Sequence, residues 1–84
     1  MATIEQLYQV YLKHPVICTD TRTITDGCLF FALKGENFDA NQFAEKAVAD
    51  GAAYAIIDNP AYAKGDHFIL VEDVLTSLQE LAKH

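Results

Sequence analysis

An α/β domain is what this sequence predicts: a small mixed or parallel sheet of about four strands with about three helices. Three observations carry that expectation. Short, continuously apolar runs at 28–33 (CLFFAL) and 54–57 (YAII) suit strands covered on both faces. Apolar residues recur at helical spacing near both ends and around 41–50. Strand and helix patterns alternate, which favours parallel pairing through crossover connections.

The first helix is predicted over TIEQLYQVYLK, with Ile4, Leu7, Tyr8, Tyr11 and Leu12 on one face. Thr3 and Gln6 have the spacing of a capping box, and His14-Pro15 ends the helix. Residues 16–18 (VIC) are a short strand leading into Asp20-Thr21-Arg22. Asp26-Gly27 then supplies a tight turn before the central strand at 28–33. A second helix is expected at about 41–50, with Phe43, Ala44, Ala47 and Val48 inward and Gly51 as its C-terminal stop. The strand at 54–58 completes a strand–helix–strand unit, expected to be parallel and right-handed. After a loop with one helical turn comes a strand at 68–72. Asp73 then caps a helix carrying Val74, Leu75, Leu78, Leu81 and Ala82 inward.

The 84 residues form one domain, with 51% hydrophobic and 21% charged residues, a globular rather than disordered composition. A net charge of −6 gives no basic face to neutralise a phosphate backbone, so nucleic acid is not an expected partner. No apolar run is long enough to cross a bilayer, and the N-terminus has no basic start or cleavable apolar core. No membrane partner and a cytoplasmic location are expected. Cys18 and Cys28 lie in apolar segments and read as buried, reduced thiols. They and the scattered His14, His67 and His84 suit no metal motif.

Enzyme signatures are scarce. Lys34-Gly35 runs in the opposite order to a phosphate-binding loop and lacks its first glycine, and no nucleophile elbow occurs. The aspartates 20, 26, 39, 58 and 66 read as turn and cap residues. Arg22 and Lys34, however, each follow a strand, and ligands of open α/β sheets gather at the carboxyl ends of strands. If the two strands are parallel neighbours, both cations and the start of the second helix could hold a phosphorylated small molecule. The alternative is that Arg22 and Lys34 are solvated strand-end charges. Phe38 is either an aromatic platform for a base or a loop aromatic closing the core.

Four stretches in order carry a family resemblance. They are Asp20-Thr21-Arg22, the run Gly27 to Gly35, Asp39-Ala40-Asn41 with Phe43, and Ala47 before Gly51-Ala52. Together they resemble the N-terminal domain of the Mur ligases, over essentially the whole chain. The resemblance implies a domain that binds the UDP part of a UDP-N-acetylmuramoyl-peptide in peptidoglycan precursor synthesis. It implies Thr21, Arg22, Lys34, Gly35 and Asp39 around the nucleotide, with Asn37, Phe38 and Asn41 nearby. Within the family the pattern is most similar to the members that join D-Ala-D-Ala to UDP-N-acetylmuramoyl-tripeptide. The members adding the third stem-peptide residue are the neighbouring alternative, and a stand-alone α/β interaction module without a nucleotide site is the other. The resemblance assigns ATP and Mg²⁺ to a central domain and the incoming amino acid or dipeptide to a C-terminal one. Both are absent here, so this chain alone is expected to be inactive, without catalytic residues, metal or cofactor of its own. The sequence departs from the family pattern at Ala40, where glycine is usual, at Asn41, where histidine is common, and at Cys28, where aspartate is usual. Ala40 makes a positive φ unfavourable at that position.

Overall fold

The computed structural model describes residues 1–35 and 38–83. Helix α1 (Ile4–Lys13) opens on the capping box: Gln6 N–H donates to Thr3 Oγ1 at 3.2 Å and Thr3 N–H to Gln6 Oε1 at 2.8 Å. Strand β1 (Ile17–Cys18) leads through a 3₁₀ turn (Thr21–Thr23) and the Asp26-Gly27 turn, where Gly27 has φ +82°, into β2 (Leu29–Phe31). Two short strands, β3 (Lys34–Gly35) and β4 (Phe38–Asp39), pair antiparallel. A second 3₁₀ turn (Ala40–Phe43) runs on into α2 (Ala44–Ala49). Strand β5 (Tyr54–Ile57), a 3₁₀ turn (Pro60–Tyr62), β6 (Phe68–Leu70) and α3 (Val74–Lys83) complete the chain.

The main sheet has the order β1-β2-β5-β6, every pair parallel, so the strands lie side by side in the order of synthesis. Alternation along β2 and β5 sorts the core into two halves. Phe30, Ala32, Ala55 and Ile57 point to the side covered by α2, with Ala44 and Ala47. Leu29, Phe31 and Ile56 point to the side covered by α1 and α3, with Leu7, Val74 and Leu81. This is the double coverage that a continuously apolar strand demands. Phe30 and Phe31 are each within 1% of complete burial, an arrangement worth about 1.5–3 kcal/mol per side chain. The expected α/β class and the parallel crossover from β2 to β5 are present, and the first two strands are parallel neighbours, the condition on which the anion-site reading depends. Among the described residues no helix is long and apolar enough to cross a membrane.

Several element bounds differ from expectation. The strand expected at 28–33 closes early, because Leu33 N–H turns back onto Phe31 O at 2.9 Å and Ala40 N–H takes Leu33 O at 3.0 Å. The strands expected at 16–18 and 68–72 shorten to two and three residues. The second helix is a 3₁₀ turn before it is an α-helix, since Asp39 Oδ1 caps Asn41 N–H at 2.9 Å and tightens the first turn. Leu12 and Leu75, expected to face inward, are 55% and 51% exposed. Helices α1 and α3 share one face of the sheet and pack on each other, so each presents only a narrow stripe to the core. Gly51, with φ +122°, ends α2, and its carbonyl accepts from Gly27 N–H at 2.8 Å. A Cβ there would come within 3.3 Å of Asp26 Oδ1.

Candidate functional site

Two groups of polar side chains stand at the carboxyl ends of the strands. The first follows β1. Asp20 is the N-cap of the 3₁₀ turn, its Oδ1 accepting Arg22 N–H at 2.8 Å. The same carboxylate grips the Arg22 guanidinium: Oδ2 accepts from Nη2 at 2.6 Å and from Nε at 3.0 Å. Arg22 hydrogen bonding holds the Asp20 carboxyl below the usual aspartate range, and Asp20 raises the guanidinium in turn. The Arg22 side chain is 87% exposed, so the pair is an oriented surface feature rather than a source of stability.

Beside this pair opens a cavity of about 470 Å³ lined by Thr19, Asp20, Thr21, Arg22, Phe30, Ala40 and Phe43. Its polar rim comes from the loop after β1, and its apolar wall from β2 and the 3₁₀ turn before α2. The Asp-Thr-Arg stretch and the Ala40–Phe43 stretch, far apart in sequence, thus share one wall-and-rim arrangement.

The second group follows β2 and β5. Strand pairing sets Lys34 opposite Asp39. Lys34 Nζ lies 3.4 Å from Asp58 Oδ1, and the Asp58 side chain is only 1% exposed. Asn41 is fully buried and sits at the centre. Its Nδ2 donates to Asp39 Oδ1 at 2.7 Å and to Asp58 Oδ1 at 2.9 Å, while its Oδ1 accepts the backbone N–H of Asp58 at 3.0 Å and of Asn59 at 3.2 Å. Asp58 Oδ2 also accepts Val74 N–H at 3.2 Å, the first residue of α3. Every buried donor and acceptor here has a partner, which is what a buried polar cluster requires. Asn41 hydrogen bonds, and secondarily the charge of Lys34, hold the Asp39 carboxyl below the usual range.

Of the residues nominated from sequence, Thr21 and Arg22 line the cavity, while Lys34, Asp39 and Asn41 belong to the adjacent group. Lys34 is not among the cavity's lining residues. Asn37 and the side chain of Phe38 lie outside the described residues, and the Gly35 backbone pairs with that of Phe38. Ala40 adopts no positive φ; among the described residues only Gly27 and Gly51 do. Sequence reasoning missed three contributors. Asp20, expected only as a turn and cap residue, also grips the nominated Arg22. Asp58 is a buried acceptor, its one sequence signal being an acid directly after a buried strand. Phe43, read as core, also lines the cavity.

Cys18 and Cys28 lie beneath the loop that carries Arg22. Both are free and buried, and Cys18 Sγ donates to Thr23 O at 3.4 Å. Burial pushes the Cys28 thiol upward, and its contact with Cys18 adds to the shift.

The family model described as "Mur ligase family, catalytic domain" matches residues 15–84. The UDP-N-acetylmuramoyl-tripeptide–D-alanyl-D-alanine ligase of Escherichia coli K12 is 46% identical over 66 residues, which is 79% of this chain and 14% of that protein. The UDP-N-acetylmuramoyl-L-alanyl-D-glutamate–2,6-diaminopimelate ligase of Rickettsia conorii is 37% identical over 76 residues, 88% of this chain and 16% of that protein. The chain thus spans about one-seventh of the length of the curated relatives it matches. The crystal structure of MurF from Acinetobacter baumannii superposes on 94% of this chain and 20% of its own, with TM-score 0.70 and 33% identity. A match across most of its length makes this chain a member of the Mur ligase family.

Proposed function

We propose that this chain is the N-terminal substrate-docking domain of a cytoplasmic ligase that joins D-Ala-D-Ala to UDP-N-acetylmuramoyl-tripeptide. The UDP end of that substrate binds at the carboxyl ends of β1 and β2. The observation that carries this reading is the cavity between the Asp20–Arg22 turn and the Ala40–Phe43 turn. It brings together two separate pieces of the family pattern at the edge of the sheet where α/β domains hold ligands. Arg22 donates to the nucleotide, Thr21 supplies a hydroxyl to the same rim, and Phe43 and Ala40 form the apolar wall. Lys34 and Asp39 act next to the cavity, with Asn41 holding both in place through Asp39 and Asp58.

ATP and Mg²⁺ belong to other parts of the proposed ligase. Among the described residues no three carboxylate, histidine or cysteine side chains are placed to hold a metal ion. In this reading the residues of this chain bind and orient substrate, and the acyl-phosphate and amide chemistry is carried by the rest of the ligase.

Calorimetric titration of the full ligase with UDP-N-acetylmuramoyl-tripeptide tests the reading. Arg22→Ala is expected to weaken binding about tenfold, the value of one charge-assisted hydrogen bond. Unchanged affinity would return Arg22 to ordinary surface charge.

One second reading has specific support. The diaminopimelate-adding relative matches more of this chain than the E. coli relative does, at lower identity. Ligation assays of the full protein with UDP-N-acetylmuramoyl-dipeptide and -tripeptide acceptors separate the two.

A further inference from the structure

Asp58 carries a buried carboxylate, and a buried charge is costly unless the groups around it use it. Those groups lie in both layers of the core. Asp58 Oδ1 accepts from Asn41 Nδ2 at 2.9 Å, in the 3₁₀ turn whose Ala40 and Phe43 line the cavity. Ala40 belongs to the half of the core covered by α2. Asp58 Oδ2 accepts Val74 N–H at 3.2 Å, at the start of α3, and Val74 belongs to the other half. Lys34 Nζ, 3.4 Å from Oδ1 and half-exposed, supplies the counter-charge.

Two acceptors on one rigid group are what this position uses. A carboxylate has them, whereas an amide has one acceptor and one donor. Asn41 is fixed to the same anchor from both ends of its amide, because its Oδ1 accepts the Asp58 and Asn59 N–H groups while its Nδ2 donates to the Asp58 carboxylate. The cavity wall and the first N–H of α3 are thus joined through one planar group, although α2 and α3 cover opposite faces of the sheet. Val74 N–H is one of those a helix start leaves without an intrahelical partner, and such first turns open easily when their outside acceptor moves.

We infer that Asp58 is a positioning residue that couples the wall of the cavity to the first turn of α3. A ligand that steadies the turn of Ala40 and Phe43 steadies Asn41, holds Asp58 in place and so keeps Val74 N–H bonded. The coupling is reciprocal: loosening the start of α3 lowers the affinity of the cavity by the same factor as the ligand suppresses the opening of α3. The inference rests on the docking function proposed above and adds a consequence on the far face of the sheet.

The experiment follows amide hydrogen exchange by mass spectrometry in the full ligase, with and without saturating UDP-N-acetylmuramoyl-tripeptide. In wild type the substrate is expected to slow exchange at residues 74–77 about fivefold more than at residues 7–13 of α1, the reference helix on the same face. Asp58→Asn keeps the shape but offers one acceptor to two donors, and is expected to abolish that difference. Val74→Pro cuts only the link to α3, since proline fits the first position of a helix and Asp58 keeps Asn41 and Lys34. It is expected to abolish the difference at residues 75–77 and to weaken substrate binding about fivefold without altering a residue of the cavity. Should Asp58→Asn fail to fold, Val74→Pro carries the test alone. Tight substrate binding by wild type with equal slowing in α1 and α3, or a difference that survives in Val74→Pro, would overturn the inference and leave the docking function intact. A wild-type ligase that does not bind the UDP substrate at all would overturn both.

Discussion

The Asp20–Arg22 pair and the group around Asn41 use the same chemistry, a carboxylate facing a cation at a strand end, but are built in opposite ways. Asp20 and Arg22 are two residues apart, exposed, and closed within one 3₁₀ turn. Asn41, Asp58, Lys34 and Val74 come from four places along the chain and meet around side chains that water scarcely reaches. The local pair can be removed without disturbing anything behind it. The long-range group ties the turn before α2, the end of β5 and the start of α3 into one unit. Under the docking function proposed above, one would meet the ligand and the other would hold the wall of the cavity in place.

The sharpest way to break this contrast is Asn41→Asp. A carboxylate at that position loses the Nδ2 donor and faces both Asp39 and Asp58 in a buried setting. It is expected to destabilise by about 3–5 kcal/mol or to prevent folding, as read by urea denaturation. Wild-type stability in that variant would show that the buried group is not a structural tie. Asn41→Ala, which leaves Asp58 and Asn59 N–H groups without their acceptor, should cost about 2–3 kcal/mol by the same measurement. Gly51→Ala comes next, at about 1 kcal/mol or more. Its φ of +122° is foreign to alanine, and the new Cβ would press on Asp26.

Smaller still is the acid response. Asp20, Asp39 and Asp73 all have carboxyls held below their ordinary value by hydrogen bonds, from Arg22, Asn41 and Thr76 respectively. A carboxyl whose folded pKa is depressed contributes stability that is fully present above the unfolded value of about 3.9 and is lost as pH falls through the lower folded value. Thermal unfolding followed between pH 6 and pH 2 should show stability declining only below about pH 4 from these groups. An increase in stability over that acid range would contradict the assignment. The smallest expected effect is that of Arg22→Ala on folding, within about 0.5 kcal/mol, because an exposed ion pair contributes little. A loss comparable to that of Asn41→Ala would erase the distinction between the two groups.

Much of this arrangement is legible from sequence, and what is hidden has a physical cause. The capping box at Thr3 and Gln6, the apolar central strands and the stop at Gly51 are local signals, and local chemistry decides them. The inward or outward fate of Leu12 and Leu75 depends instead on α1 and α3 sharing a face, which neither helix encodes alone. In the site, Thr21 and Arg22 are recognisable because a strand end is visible in the pattern. The role of Asp58 is not, because its partners Asn41 and Val74 lie 17 and 16 residues away and only the fold joins them. The expectation of a free anion-binding edge counted cations and a helix start and left out the carboxylates that occupy them.

The sheet order also bears on how the domain comes into being. Because β1, β2, β5 and β6 lie side by side in chain order, each new strand emerging from the ribosome finds its neighbour already made. No strand must wait for a later one to fill a gap, so the loops closed at each step stay short and the search is brief. The cavity's rim and apolar wall, from Thr19 to Phe43, can form before β5 exists, but the turn is not fastened until Asp58 arrives and accepts from Asn41. Val74 then closes the latch as α3 begins. A nascent chain halted between residues 44 and 57 would carry the pieces of the cavity without the lock that holds them, and would be a target for proteases and chaperones at that length.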